Sequence, residues 1–359
     1  MPDKNAAAQR VIANALLLRE MGFAVAFIGP TKNRENIVAV TNGFKCEYVD
    51  YPQNIYSWIK YILSFISKKR ILDHNPNYIV LYNFPAIASL KILRICHKHG
   101  IKVFHDVTEW ECPCGWSIRS IIQRIDILLR MRYCTKKMDG VIAISRYLYN
   151  YYENYTNTIL IPPMVDLDDL KFNRERKLTA SECTTNLVYA GSLGKAATKD
   201  RLDLIIEEIN KFPNIRLDIV GQTKEQFYTI FGYDIEINEN IYFHGRVSHN
   251  EAVQFVCKAD FQILIREDTL KNRAGFPTKF VESFSCCIPL IATASSNICD
   301  YLKDGENGLL VTEEHPLEEV LKMVASMSAE EKIKMKKACR GFKGFDYRCY
   351  KDQFSKLFK

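Results

Sequence analysis

The stretch FQILIREDTLKNRAGFPTKFVESFSCCIPLIAT (261–293) decides the reading of the chain. FQILI (261–265) is a short apolar run of strand length, and IPLIAT (288–293) is a second. Between them lie a polar loop and a helix over 278–286 that opens at Gly275-Phe276-Pro277-Thr278-Lys279. Proline suits a first helical turn, because its missing N–H is one the helix leaves unpaired anyway. Strand, helix, strand with an apolar run at both ends describes a parallel βαβ unit.

The same alternation extends outward. On one side come strands 186–191, 215–221 and 241–245, with helices over 200–211, 223–231 and 249–258; on the other comes a strand at 308–312, then helices. An earlier series has helices over 6–21, 54–72, 86–99 and 116–137, with strands at 23–29, 78–83, 101–106, 140–145 and 158–163. Pro162-Pro163 and the polar run 166–185 interrupt the pattern, so the junction belongs there. The expected organisation is α/β: a Rossmann-like domain over 1–166, a second over 167–343 and a closing amphipathic helix over 344–359. Two such halves suit an arrangement facing across a cleft. A length of 359 residues fits two cores better than one.

Composition narrows the function. Hydrophobic residues make up 47% and charged residues 25%, which excludes general disorder. The twelve cysteines lack C-x2-C pairs and are read as reduced thiols. No apolar run reaches the ~18–20 residues of a spanning helix, and residues 1–22 do not read as a signal peptide, so a cytoplasmic protein is expected. The charge is uneven. Residues 1–166 hold 21 Lys and Arg against 13 Asp and Glu, and residues 167–359 hold 28 against 29, so the whole excess of seven lies in the first part. A basic face attracts anionic membrane or nucleic acid. The basic residues are not interleaved with aromatics in a nucleic-acid motif, so no nucleic-acid partner is expected. Trp58, Lys60, Phe65, Lys68-Lys69-Arg70 and the helix 116–137, with Arg119, Arg130 and Lys137, are the candidate membrane contacts, docking the protein peripherally at the inner membrane face; ordinary packing helices fit the same residues.

In the opening stretch, the free N–H groups of a helix start favour phosphate. Thr278 adds a hydroxyl, and Arg266, Arg273 and Lys279 add charge suited to a diphosphate. Glu282, one turn beyond Thr278, could accept from two ribose hydroxyls. A polar loop that merely caps a helix salt-bridged by Glu282 satisfies the same pattern.

The stretch resembles the donor-site signature of the family-4 retaining glycosyltransferases, in the branch that builds bacterial surface polysaccharides. The matching residues are Gly275, Phe276, Glu282, Pro289 and Ile291, with Pro277-Thr278-Lys279 before the glutamate. VYAGSLGKAATKDRLDLIIEEI (188–209) resembles that family's phosphate turn, with Ser192 at the place of its usual arginine and Lys199 at its lysine. YFHGRVSHNEA (242–252) and ICDYLKDGENGLLV (298–311) resemble its later blocks.

The resemblance implies the GT-B fold, with the final helix crossing back to the first domain. It also implies a UDP- or GDP-sugar donor held by Ser192, Lys199, Arg266, Gly275, Phe276, Pro277, Thr278, Lys279 and Glu282, and a glycan or lipid-linked acceptor. Catalysis would involve His105, Asp106 and Glu282, with acceptor contacts from Asn5, Arg10 and Glu109. A structural histidine and a helix-surface arginine remain open for His105 and Arg10. The diphosphate would leave without a metal or other cofactor. Two departures stand out. Ala274 replaces the glutamate that often precedes Glu282 by eight residues, and the chain opens inside the family's first loop, so the first strand is missing from the sequence given. A GT-B nucleotide-sugar epimerase and a catalytically impaired homologue are the alternatives.

Overall fold

The computed structural model describes residues 6–31, 38–64, 66–110, 113, 115–193 and 199–358. The chain divides into two compact units, one of Met1–Met164 with Tyr347–Lys359, the other of Val165–Asp346.

In the first unit, strands β1 (Ala26–Thr31), β2 (Val38–Thr41) and β3 (Phe44–Asp50) form a sheet of order β1-β3-β2. β1 runs parallel to β3, whereas β2 and β3 are antiparallel. β2 and β3 are joined by Asn42-Gly43, both at positive φ (51° and 76°). That is the two-residue hairpin whose twist matches paired strands. The sequence reading placed no element between residues 29 and 54, although Asn-Gly is the standard signal for this turn.

A second, all-parallel sheet has the order β4 (Tyr78–Tyr82), β5 (Lys102–Val107), β6 (Gly140–Ala143) and β7 (Thr158–Leu160). Helices α1 (Ala6–Glu20), α2 (Ile55–Leu63), α3 (Lys68–His74), α4 (Ala86–His97), α5 (Ile118–Leu129) and α6 (Arg146–Tyr152) surround these strands in sequence. The helix expected over 54–72 is thus two helices, each with its own cap: Asn54 starts α2 and Ser67 starts α3. The one expected over 116–137 is α5 followed by a π turn at Arg130–Cys134 and a 3-10 turn at Thr135–Lys137.

In the second unit, six strands form one sheet: β8 (Thr185–Ala190), β9 (Ile215–Val220), β10 (Ile241–Phe243), β11 (Phe261–Leu264), β12 (Leu290–Thr293) and β13 (Gly308–Val311). Their order is β10-β9-β8-β11-β12-β13, with every pair parallel. The connecting helices are α7 (Leu202–Ile209), α8 (Lys224–Phe231), α9 (His249–Lys258), α10 (Leu270–Ala274), α11 (Thr278–Ser285), α12 (Leu317–Ser326) and α13 (Ala329–Gly341). Capping boxes at Thr223/Gln226, Ser248/Glu251 and Ser328/Glu331 satisfy otherwise orphaned N–H groups and fix where α8, α9 and α13 begin. β11 is buried at every position, as expected of a central parallel strand covered on both faces. From the first strand, β8, the chain winds first toward β10 and then, on the other side, toward β13. The β8/β11 boundary is therefore the switch point of the sheet, where open α/β folds leave a crevice beyond the strand ends.

The chain ends with a 3-10 turn at Tyr347–Tyr350 and α14 (Lys351–Ser355). Tyr347, Tyr350, Phe354 and Leu357 join Ala13, Leu17, Phe104, Ile142 and Ile159 in one core cluster, so the last residues are part of the first unit's core. Tyr347 also donates to Glu20 at 2.7 Å.

Candidate functional site

The switch point of the second unit holds a cluster of paired charges around a glycine turn. β8 ends at Ala190 and is followed by Gly191 at φ 155°, a backbone region that side chains rarely adopt. A Cβ built on Gly191 would lie 2.0 Å from Lys279 Cε, so the lysine stem passes directly over the bare Cα. Beyond the glycine, Lys279 Nζ reaches the Asp200 carboxylate and donates to Tyr189 Oη at 3.0 Å. Arg266, just past β11, donates from Nε to the other Asp200 oxygen at 2.6 Å. Tyr189 donates to Asp200 Oδ2 at 2.8 Å. Thr293, closing β12, pins the Arg266 backbone on both sides: its hydroxyl donates to Arg266 O and accepts from Arg266 N, each at 2.8 Å.

Electrostatics follow from this packing. Burial would raise the Asp200 carboxyl, but Lys279 and Arg266 together hold it well below the usual carboxylate range. Burial lowers the Lys279 ammonium, opposed by Asp200 and reinforced by repulsion from Arg266. Burial and the adjacent carboxylate push the Tyr189 phenol well up, so it remains a donor. Two cations share one bonded anion, so these three groups carry a net positive charge; Glu282, engaged with His249, adds a further carboxylate near Lys279.

The helix start expected from sequence adjoins this cluster through Lys279. α11 begins after Pro277, which provides no side-chain acceptor for the first turn. Ser296 donates to Gly275 O at 2.5 Å, and Phe276 packs in a buried aromatic group with Phe280, Tyr301 and Phe345. Those contacts fix the turn from behind. Thr278 is the first residue of α11, and Glu282, one turn on, meets His249 Nε2 at 3.1 Å. Ser192 is exposed immediately beyond Gly191. Lys199 is half-buried, and its carbonyl accepts from Asn272 Nδ2 at 3.2 Å, which ties it to α10. Ala274 is fully buried at the end of α10.

The structure thus brings Arg266, Lys279 and the Gly191–Ser192 turn together, with Gly275–Thr278 leading into the same helix. Sequence reasoning missed Asp200, Tyr189, Gly191, His249 and Thr293. Gly191 was visible as a glycine directly after an apolar strand; the others depend on pairings between distant segments.

The first unit's candidates fare differently. His105 lies inside the core, with Nδ1 2.9 Å from Thr135 Oγ1 and Nε2 3.1 Å from Ser89 Oγ. Burial, helped by Arg130, pushes its pKa down to about 3. This corrects the expectation that it faces a ligand: β5 is covered on both sides, so alternation along it does not separate inside from outside. Asp106 and Arg10 are likewise buried rather than surface groups. Arg10 donates through Nε and Nη2 to Asp106 at 2.7–3.0 Å, and through Nη1 to Ile161 O and Pro162 O. Asn14 adds a third donor to Asp106 at 3.0 Å. Burial raises the Asp106 carboxyl, opposed by Arg10. Arg10 therefore rivets α1 to β5 and the segment after β7. Glu109 is half-buried in the loop after β5. Asn5 lies outside the described residues, as does Phe65. Arg130 is also interior, donating to Asn83 O at 2.8 Å, which removes it from the proposed surface contacts.

Among the described residues no group of three or more His, Cys, Asp or Glu side chains could hold a metal ion, and no helix is long and apolar enough to cross a membrane.

This is an α/β protein of the GT-B fold class, with a Rossmann-like sheet and a charged switch point in its second unit. Residues 173–340 match the family model described as "Glycosyl transferases group 1". An uncharacterized glycosyltransferase of Methanocaldococcus jannaschii is 23% identical over 202 residues, 56% of this chain and 53% of that protein. The match thus spans about half the length of that curated relative. Solved structures agree over nearly the whole chain. Sucrose-phosphate synthase from Thermosynechococcus elongatus superposes with a TM-score of 0.66 at 14% identity, covering 97% of this chain and 92% of that one. HepE of Anabaena, solved with UDP-glucose, gives 0.64 at 13%, covering 99% and 96%. WaaG, a glycosyltransferase involved in lipopolysaccharide biosynthesis, gives 0.62 at 13%, covering 100% and 95%.

Proposed function

We propose that the protein is a retaining glycosyltransferase that moves a sugar from a UDP- or GDP-sugar to a glycan or lipid-linked acceptor in surface polysaccharide synthesis. The observation that carries this reading is the net-positive Arg266–Lys279–Asp200 cluster at the glycine turn of the switch point. It lies within the segment matched by the glycosyltransferase family model. The solved likeness to HepE with UDP-glucose adds support for a nucleotide-sugar donor.

In this reading the diphosphate lies against the Gly191–Ser192 turn and the start of α11. Arg266 and Lys279 stabilise the charge that accumulates on the leaving diphosphate, with Lys199 as a further cation. Fixed cations and N–H groups do this without a metal. Glu282, oriented by His249, takes the ribose hydroxyls. No protein nucleophile is required if the acceptor attacks from the leaving-group face and a diphosphate oxygen takes its proton. His105, Asp106 and Arg10 support the first unit rather than the chemistry; Glu109 stays as the acceptor-side candidate.

The test is a donor screen over UDP- and GDP-sugars, following both hydrolysis and sugar interconversion. Hydrolysis that is lost in Lys279→Ala is expected. Interconversion of the sugar without an acceptor would replace transfer by epimerisation.

The first unit supplies a surface for a lipid-linked acceptor. α5 buries none of its residues, and its Ile118 and Ile125 are 71% and 60% exposed, with Trp116 at 88% beside them. On α2, Tyr56, Ile59 and Leu63 are exposed at the same helical spacing, and Arg119 lies 5.7 Å from the Trp58 ring, which joins the two helices. No acidic residue occurs between Asp50 and Asp73, while Lys60, Lys68, Lys69 and Arg70 do. Apolar stripes rimmed by cations fit an anionic bilayer surface. Flotation with phosphatidylglycerol but not phosphatidylcholine vesicles is expected, and weakened by Ile125→Glu. Equal absence from both vesicles would end the membrane reading.

A further inference from the structure

We propose that Asp200 is an internal competitor for the donor's diphosphate: it draws Lys279 across Gly191, and an anionic ligand binds by taking its place. The inference rests on the donor-site reading above and says what limits affinity there.

Three observations carry it. The Asp200 carboxylate is buried and accepts from Arg266 Nε, Lys279 Nζ and Tyr189 Oη, so it occupies both cations assigned to the diphosphate. The Lys279 stem covers Gly191 closely enough that a single added carbon there would collide with it. A glycine at positive φ exposes its backbone to close approach by a ligand, and here a side chain of the protein fills that approach. Finally, the stoichiometry is unequal. One bonded carboxylate serves two cations, with Glu282 acting on Lys279 only from a distance, so a more highly charged diphosphate outcompetes it.

A pure positioning role for Asp200 makes the opposite forecast. If Asp200 serves only to aim Lys279 and Arg266, removing its charge lets both cations drift and weakens anion binding. If it competes, removing its charge frees both cations and tightens binding.

The test is calorimetric titration of the full chain with inorganic pyrophosphate, and separately with UDP, for the wild type and Asp200→Asn. Competition is expected to show as about tenfold tighter pyrophosphate binding by the variant, the scale of a close charge coupling. The variant is also expected to melt lower than wild type without ligand and to gain more from pyrophosphate, because its buried cations lose their counter-charge. If Asp200→Asn fails to fold, Lys279→Met is compared with Lys279→Met/Asp200→Asn, which keeps the cluster's net charge at the wild-type value. The double variant is expected to bind about tenfold tighter than the single one. Equal or weaker binding in these comparisons overturns the proposal, as does a lack of pyrophosphate binding by every protein. Wild-type UDP binding without the affinity gain sinks the competition and leaves the donor site standing. The gain without any UDP binding leaves an anion site and removes the nucleotide.

Discussion

Two buried ionic clusters lie near carboxyl ends of parallel strands, one in each unit, and they differ in their charge balance. In the first unit, Arg10 and Asp106 match one guanidinium to one carboxylate, with Asn14 and two backbone carbonyls completing the hydrogen bonds. In the second, Asp200 is shared by Arg266 and Lys279, so one positive charge is left over beside a bare glycine. Lys336 and Asp260 form a further closed pair in the second unit, at 2.7 Å, with Asp260 also accepting from Asn186 N. A balanced, saturated pair holds elements together and has nothing to offer a ligand. An unbalanced one at a switch point keeps charge to offer, which is why the proposal places the donor's diphosphate there.

The sharpest way to break this distinction is to remove one partner from each cluster. Arg10→Ala leaves Asp106 buried without its counter-charge, and a loss of about 3–5 kcal/mol in denaturant unfolding is expected. A loss below about 1 kcal/mol would show that the pair is not the rivet described. Lys279→Ala leaves Asp200 paired with Arg266, so its main cost falls on function. A drop in donor turnover on the order of 10²-fold is expected, as for loss of one charge-stabilising contact. Glu282→Ala is expected to cut kcat/KM on a similar scale, through a weaker hold on the nucleotide, read as a rise in KM.

A smaller effect concerns pH. His105 has an ordinary pKa of 6.5 and is held near 3 in the folded unit. The unfolded chain therefore takes up a proton below about pH 6.5 while the folded chain resists until about pH 3. The stability from keeping this imidazole neutral is fully present above pH 6.5 and is lost progressively as pH falls toward 3. In His105→Gln, unfolding free energy is expected to fall less steeply between pH 6.5 and 4.5 than in the wild type. Identical slopes would contradict the buried, neutral assignment.

The fold of the second unit was legible because its strands are short apolar runs and its turns carry the residues such turns require. FQILI and IPLIAT became the neighbouring strands β11 and β12, with Pro277 at the start of α11. Helix ends were less legible. The run 116–137 keeps its apolar spacing through the π turn at Arg130–Cys134, so nothing in the pattern marks the end of α5. The hairpin at Asn42-Gly43 rests on a two-residue turn signal that helix and strand alternation alone does not capture. In the site, Arg266 and Lys279 could be named from local chemistry, but their shared partner could not. Asp200 is 66 residues from one and 79 from the other, and only the sheet order β8-β11-β12 brings them together. Residue type also misled where both faces of a strand are covered. His105 and Asp106 look like strand-end catalytic groups, and burial on both sides of β5 turns them into interior supports.

The central claim is that the surplus charge at Gly191 receives the diphosphate of a sugar nucleotide. Its most direct test is equilibrium titration of the intact protein with UDP- and GDP-sugars, beside Lys279→Ala and Arg10→Lys. Saturable binding of at least one donor, weakened by Lys279→Ala and untouched by Arg10→Lys, is the expected result. Binding indifferent to Lys279, or no binding of either donor class by a folded protein, would contradict the account.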